Sequence, residues 1–208
     1  MRFLTLACAL AALLLLALVS SIWFLRAAGL PQDRTPVVIE LAGQSLRIDP
    51  AFVRRRNDLL HRQHEEFELV AVWPDLGPAA HILAQVPAED IIVLALRGKD
   101  QRLEPAEKPA RLYARFLKED EEPFGDGLVA RRFEVGSPYE GEVLIMTPPE
   151  GRLFWARCSL RNTGVTQMCL SEIRTDGFDV TLRVSENILL EWESLTQRLT
   201  QLLAALRP

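Results

Sequence analysis

Apolar and polar positions divide the chain into an uncharged N-terminal segment and a longer body with short alternating patterns. Residues 3–25 read FLTLACALAALLLLALVSSIWFL, with Arg2 and Arg26 on either side. As a helix rising about 1.5 Å per residue, this segment would be roughly 34 Å long, enough to cross a hydrocarbon core of about 30 Å. We predict a transmembrane anchor over 1–26 that contacts the lipid bilayer through residues 3–25, a linker over 27–36, and one domain over 37–208.

The N-terminal segment has two other interpretations. Ala27, Ala28 and Gly29 could form a signal-peptidase site, but the apolar run is longer than that of a typical cleavable signal, so retention as a signal-anchor is favoured. Lipid modification of Cys8 is disfavoured because too few apolar residues precede it. Basic residues flank both ends of the segment, so the positive-inside rule gives no orientation. The short N-terminal tail favours a C-terminal domain outside the cytosol.

The body contains many short runs typical of strands. We predict a hairpin over 37–48 with a turn at Ala42-Gly43-Gln44, a short helical turn capped by Asp49, and buried strands at 67–73 and 91–96 separated by a loop at 74–87. A short helix is predicted at 110–117 and a solvated acidic loop at 119–122. Further strands are predicted at 128–135, 142–147, 152–160, 165–174 and 178–184. Their short connections indicate an antiparallel meander.

The C-terminal segment carries a helical pattern. We expect Ser185 to cap a helix over 186–206. Its apolar residues recur at steps of three and four, which places on one face Ile188, Trp192, Leu195, Leu199, Leu202 and Leu206. Packing this face on the sheet gives an α+β fold, and a coiled-coil dimer is the alternative.

Cys158 and Cys169 flank a predicted turn at Asn162-Thr163-Gly164. A two-residue loop would place the cysteines opposite one another, with Cα atoms about 5.5 Å apart in a hydrogen-bonded pair, a distance that allows a disulfide. A three-residue loop would offset them by one position. We predict a disulfide, with two buried thiols as the alternative.

Charge and motifs narrow the possible functions. Without Arg2 and Arg26 the body holds 22 basic and 28 acidic residues, a net charge of −6, which argues against nucleic acid or an anionic bilayer surface as the main partner. The cluster at 54–56 is interpreted as a solvated face. His61, His64 and Glu65 form H-x-x-H-E, which has the wrong order for the zinc protease motifs H-E-x-x-H and H-x-x-E-H. We predict no catalytic residue, no cofactor and no metal site, and expect Trp73, Trp155 and Trp192 to pack in the core.

Several phrases together suggest a family. They are 48–50 (IDP), 52–54 (FVR), 69–76 (LVAVWPDL), 112–117 (LYARFL), 127–133 (GLVARRF), 137–142 (SPYEGE) and the cysteine hairpin before Trp192. Over most of residues 37–206 the chain resembles a group of uncharacterised, membrane-anchored proteins of alphaproteobacteria. The resemblance implies a bacterial origin, and it carries no catalytic residue because that group has no assigned activity.

We therefore predict a single-pass protein of the bacterial inner membrane. Its periplasmic domain would bind a partner, another protein of the cell envelope, without catalysis and without nucleic acid. Two alternatives stay open: an envelope enzyme whose site is assembled only in three dimensions, and a module that binds a small molecule or a lipid. The sequence leaves the partner's identity and the oligomeric state open.

Overall fold

The computed structural model describes Ser20 and residues 34–99, 103–160, 167–175 and 177–208. The chain forms two compact units, residues 1–34 and residues 35–208, and the second is the body described below. In the described part of the chain, no helix has the length and apolarity needed to cross a bilayer. The span predicted at 3–25 lies outside the described residues, apart from Ser20.

Twelve strands are present among the described residues, in two sheets. A three-stranded sheet has the order β2-β1-β3 and a nine-stranded sheet the order β5-β4-β6-β12-β11-β10-β9-β8-β7. The strands are β1 Val37–Leu41, β2 Gln44–Ile48, β3 Gln63–His64, β4 Glu66–Val72, β5 Gly77–Pro78, β6 Ile91–Gly98, β7 Glu122–Gly125, β8 Leu128–Arg132, β9 Glu142–Met146, β10 Trp155–Ser159, β11 Met168–Arg174 and β12 Phe178–Ser185.

The predicted meander is confirmed. Strands β7 to β12 lie side by side in chain order, and each pair is antiparallel. The last strand of this series, β12, pairs with β6, which pairs in turn with β4, both antiparallel. The meander therefore returns the chain to its earlier strands, so one continuous sheet joins the two halves of the body.

The helical segments are short except at the C-terminus. Single turns cover Pro50–Phe52, Arg56–Leu60, Ala88–Asp90, Pro105–Glu107, Pro109–Tyr113, Ala114–Phe116 and Glu186–Glu191, and the α-helix α1 covers Trp192–Ala205. Asp49 caps the first turn as predicted, because its carboxylate accepts a hydrogen bond of 2.8 Å from the amide of Ala51. The helix predicted at 110–117 is instead a π-helical turn followed by a 3₁₀ turn.

One face of the large sheet is covered by two elements, the β1–β2 hairpin from the start of the body and the helix α1 from its end. Leu195, Leu199 and Leu203 of α1 pack with the inward side chains of the sheet, and so do the apolar residues of the β1–β2 hairpin. The two covering elements are linked, because the amide of Arg47 in β2 donates a 2.7 Å hydrogen bond to the carbonyl of Leu206. The α+β prediction is confirmed for the body, with the apolar face of the helix on the sheet.

The start of the C-terminal helix differs from the prediction. Residues 186–191 form a 3₁₀ turn, and the α-helix begins at Trp192. Ser185 does not cap it, because the Ser185 hydroxyl donates a 2.6 Å hydrogen bond to the carbonyl of Glu89. Ser185 therefore makes this tertiary contact in place of the local helix cap that the sequence predicted. Leu203, absent from the predicted stripe, is more deeply buried than Leu202.

Two further predictions, one of a loop and one of buried strands, also need correction. The acidic run at 119–122 is not wholly a loop, because Glu122 begins the edge strand β7, which pairs with β8. Strands β4 and β6, predicted to be buried strands, are not buried on both faces. In β6 only alternate residues, Ile92, Leu94 and Leu96, are fully buried, and the residues between them stay partly exposed.

The buried face of α1 gives a stability prediction. Leu199→Asp should lower the free energy of unfolding by several kcal/mol, because it places a carboxylate in the apolar core where no partner can compensate for its lost hydration. Chemical denaturation followed by circular dichroism measures the change. Gln201→Asp, two residues away at an exposed position, is the matched control and should change the stability little. Equal effects of the two variants would contradict the packing of Leu199.

Candidate functional site

The predicted disulfide is present. Cys158 and Cys169 are directly opposite one another on β10 and β11, their sulfur atoms are bonded, and both residues are buried. Their Cα atoms are 4.1 Å apart. The expected spacing of a hydrogen-bonded pair, about 5.5 Å, was therefore wrong, and the observed one fits a non-hydrogen-bonded pair. The turn predicted at 162–164 lies outside the described residues. The disulfide joins two strands near the centre of the sheet, within the main core.

The histidines that resembled a metal motif lie near the small sheet. The Nε2 atom of His64 lies 2.9 Å from the carbonyl oxygen of His61, and the His64 ring packs edge-on against Phe67 with centroids 4.8 Å apart. Within the ranges that the structure describes, no group of three or more His, Cys, Asp or Glu side chains is placed to hold a metal ion. These two histidines therefore have local structural contacts.

The second face of the large sheet is covered only in part. The segment 105–117 packs over β8, β9 and β10, where Tyr113 and Leu117 form a second core with Trp155 and Phe133. The indole Nε1 of Trp155 donates a 2.8 Å hydrogen bond to the carbonyl of Pro105. As predicted, Trp155 is a core residue, and Trp73 and Trp192 pack partly buried against the main core.

An arginine lies at the margin of this second core. The guanidinium of Arg157 is 4.9 Å from the ring centroid of Tyr139 and 5.6 Å from that of Tyr113. Its Nε atom is 2.6 Å from Oε2 of Glu142, an ionic contact between half-buried side chains. Lys108 and Glu172 form a second half-buried ion pair nearby. These contacts hold the covering segment and the Tyr139 loop on the sheet.

Within this cluster, Tyr113 is a residue whose pKa is shifted. Burial raises the pKa of Tyr113 from 10.0 to about 12; the Arg157 guanidinium opposes this shift, and the carboxylates of Glu172 and Glu142 add to it. Burial therefore favours the protonated phenol over a wider pH range, and its ring packs edge-on against those of Phe133, Tyr139 and Trp155.

A small cavity adjoins this cluster. It has a volume of about 160 Å³ and is lined by Glu104, Trp155, Glu172 and Arg174, among others. Pockets for small organic ligands usually hold about 300 to 1,000 Å³. This cavity is therefore too small to enclose a typical metabolite.

The remaining part of the second face forms a broad, partly exposed surface, which we call the open face. It comprises the residues of β4, β6, β12 and β11 whose side chains alternate with the buried ones, namely Glu66, Glu68, Val70, Val72, Ile91, Val93, Ala95, Arg97, Asp179, Thr181, Arg183, Leu170, Glu172 and Arg174. All but Val70 keep partial or full exposure. Four adjacent strands span about 14 Å across the sheet.

The strand register arranges the open face in rows. Val70, Val93, Arg183 and Leu170 are successive partners across the four strands and form a mainly apolar row. At the far end, Glu66, Arg97, Asp179 and Arg174 form a row of alternating charge. Arg97 pairs with Glu66, and Arg174 binds both carboxylate oxygens of Asp179, at 2.6 and 2.8 Å. The partly exposed apolar side chains, with Arg183 among them, and the paired charges at the far end are suited to contact a protein surface.

The open face is not evident from the sequence alone. The alternation of β12, in which Asp179, Thr181 and Arg183 fall between buried residues, was the available signal for one exposed face. Which strands lie beside β12, and in what register, is decided by pairings between distant segments. Local sequence patterns therefore could not predict the rows of the open face.

The fold has similar counterparts among solved structures. An immunity protein of the Stenotrophomonas maltophilia type IV secretion system matches with a TM-score of 0.61 and 16% identity, over 84% of this chain and 94% of that chain. An iron-regulated outer membrane lipoprotein of Neisseria meningitidis matches with a TM-score of 0.49 and 13% identity, over 82% of this chain and 92% of that chain. No family model matches the chain, and the comparison with curated proteins found no match. At such low identity the first similarity establishes a shared fold alone.

The burial of Tyr113 predicts alkaline destabilisation. The unfolded tyrosine loses its proton near pH 10.0 and the folded one near 12, so ionisation favours the unfolded chain as the pH rises through this range. The free energy of unfolding should fall by about 2–3 kcal/mol between these pH values. Denaturant titrations at each pH, compared with Tyr113→Phe, isolate this contribution, which the variant should lack.

An absorbance titration provides the independent check. The chain has two tyrosines, Tyr113 and Tyr139, so removing Tyr113 leaves a single tyrosinate signal. The step lost in Tyr113→Phe should have its midpoint near 12. A lost step centred on the ordinary value of 10.0 would contradict the burial of this phenol.

Proposed function

We propose that this chain is a single-pass protein of the bacterial inner membrane whose periplasmic domain binds another envelope protein through the open face, without catalysis. The observation that carries this proposal is the open face itself. Its strands are held rigidly by the buried core behind them, and its apolar row stays partly exposed. A rigid surface of this kind loses little conformational entropy on binding.

The fold similarity supports a binding function. The structure that matches with a TM-score of 0.61 is that of an immunity protein of a secretion system. We extend to this chain only the general class of function, namely binding to a protein. The enzyme alternative would need reactive groups gathered in a cavity large enough for a substrate. The cavity beside Trp155, at about 160 Å³, does not meet this requirement. A surface groove of about 470 Å³ lined by His64, Glu65 and Glu66 is large enough, so it is where the enzyme alternative would be tested.

The disulfide supports the proposed location. Disulfides persist in oxidising compartments such as the periplasm and are rare in the bacterial cytosol. The Cys158–Cys169 bond therefore agrees with an anchor at 3–25 that exports the domain over 37–208. Anchoring would also raise the domain's effective concentration toward partners in the same membrane. The bacterial setting follows from the sequence resemblance to alphaproteobacterial membrane-anchored proteins.

The redox state of the cysteines in living cells tests this location. We expect Cys158 and Cys169 to resist a thiol-alkylating reagent in normal bacterial cells and to react in cells that lack the periplasmic thiol oxidase, because only an exported domain depends on that enzyme. Mass-shift gels measure the number of reacted thiols. Cys158→Ala/Cys169→Ala, which retains Cys8, gives the reference band. Reaction of both cysteines in normal cells would place the domain in the cytosol.

Site-specific photocrosslinking in cells tests partner binding. A photoreactive amino acid at Val93 and, separately, at Leu170 should capture the same protein, because both residues lie in the apolar row of the open face on either side of Arg183. Mass spectrometry identifies the captured protein. Gln197, an exposed residue of α1, is the control position and should not capture it.

The proposal fails if neither Val93 nor Leu170 gives a product above that of the anchor alone. It also fails if Gln197 captures the same protein equally well. A variant at the centre of the face provides a further check. Ala95→Trp should reduce capture from Val93 about tenfold or more, since the bulky ring would disturb the complementarity of the interface.

A further inference from the structure

A second surface, on the small sheet, carries apolar side chains that point into solvent. Val38 of β1 is 53% exposed and Leu60, at the end of the turn Arg56–Leu60, is 77% exposed. Both line a groove of about 590 Å³ together with Val37, Glu40, Leu59 and Arg62. Val38 and Glu40 lie on the side of β1 opposite Ile39 and Leu41, which are fully buried in the main core.

One arginine lines this groove, and others lie on the neighbouring strand and in the segment before Leu60. Arg47 is the direct partner of Val38 across the β1–β2 hairpin, Arg62 lines the groove, and the exposed residues Arg54, Arg55 and Arg56 lead into the turn that carries Leu60. We call Val38, Leu60 and these five arginines the basic patch. Among the described residues, none of the five guanidinium groups has a carboxylate partner within ion-pair distance. Arg97, Arg152 and Arg174, by contrast, each pair with a carboxylate.

The basic patch is a local reversal of the body's charge. The body carries a net charge of −6. Against the five arginines of the patch, the adjoining acidic residues are Glu40 in the groove, Asp58 in the turn and Glu65, which shares a neighbouring groove with Glu40. Uncompensated arginines next to solvent-exposed aliphatic side chains are the combination found on surfaces that bind anionic bilayers. The arginines are attracted to the headgroups, and the apolar side chains enter the interfacial region.

We propose that the basic patch docks the body on an anionic lipid surface, with Leu60 and Val38 inserted at the headgroup level. Charge complementarity identifies this occupant. The chain length from Arg26 to Val38 agrees with it, because about 12 residues extend at most about 40 Å from the end of the predicted anchor. Docking fixes which side of the body faces the bilayer, a property that partner binding through the open face does not require.

The test uses the full chain reconstituted into lipid vesicles. A cysteine introduced by Cys8→Ala/Leu60→Cys is labelled with an environment-sensitive fluorophore, and its quenching by spin-labelled lipids is measured. The vesicles contain either phosphatidylcholine alone or phosphatidylcholine with about one third phosphatidylglycerol. We expect a blue-shifted, strongly quenched emission with the anionic vesicles, and little of either with the neutral ones.

A matched control position lies elsewhere on the body. Leu153 is 76% exposed, nearly as much as Leu60, but the arginine beside it, Arg152, is paired with Glu150. The label placed by Cys8→Ala/Leu153→Cys should remain unquenched in both vesicle types. Adding Arg54→Glu, Arg55→Glu and Arg56→Glu to the Leu60→Cys chain should lower the ratio of docked to undocked molecules at least about a hundredfold. High salt should act in the same direction.

Each outcome decides the proposal. Equal quenching at positions 60 and 153, or quenching at 60 that is insensitive to phosphatidylglycerol and to the arginine reversals, would overturn it. So would a photoreactive group at Leu60 that captures a protein in cells instead of lipid. Labelling native Cys8 in the unaltered chain reports separately on the anchor. A quenched label at Cys8 with an unquenched one at position 60 would reject docking while leaving the anchored, partner-binding function intact.

Discussion

Burial of one face of the large sheet is the constraint on which the rest of the body depends. The middle of the chain supplies the sheet, whereas the elements that cover it come from the two ends of the body, the hairpin β1–β2 and the helix α1. These ends meet at the bond from the Arg47 amide to the Leu206 carbonyl. The hairpin and the helix can bury their apolar side chains only against the sheet. The sheet in turn needs both of them to shield its apolar face from water. The core is therefore assembled from contacts that are distant in sequence.

The opposite face of the large sheet is covered only in part, by segment 105–117. Segment 105–117 is held over β8, β9 and β10 by the Trp155 indole, by the Lys108–Glu172 pair and by the packing of Arg157 against two tyrosines. Its first turn also reaches β11, where Lys108 pairs with Glu172, but it is too short to cover β4, β6 and β12. The open face is the result, and its charged residues are largely paired with one another within the sheet. A partner would still have to compensate the exposed Arg183, which lies within the apolar row, for example with a carboxylate of its own.

Local patterns predicted the parts of the structure that depend on local physics. The hairpin turn at Ala42-Gly43, the Asp49 cap, the opposition of Cys158 and Cys169 and the apolar face of α1 all involve residues close in sequence. The errors arose where a distant contact prevailed. Ser185 bonds to Glu89 across the fold instead of capping the helix, and Leu203 exceeds Leu202 in burial because the sheet sets the rotation of α1. The open face depends on strand neighbours that no local pattern identifies.

The two edge strands of the large sheet favour the open face, over the addition of a strand, as the means by which the proposed partner would bind. An exposed edge binds another chain by offering a row of unpaired amides and carbonyls. Here one edge is β5, only two residues long and ending in Pro78, which has no amide to donate. The other edge is β7, which contains Pro123 and an irregular register between Pro123 and Gly125. Both edge strands are short and interrupted, so a partner strand added to β5 or to β7 could form few backbone bonds. The larger and more regular surface is the open face, where side chains from four strands would determine which partner fits.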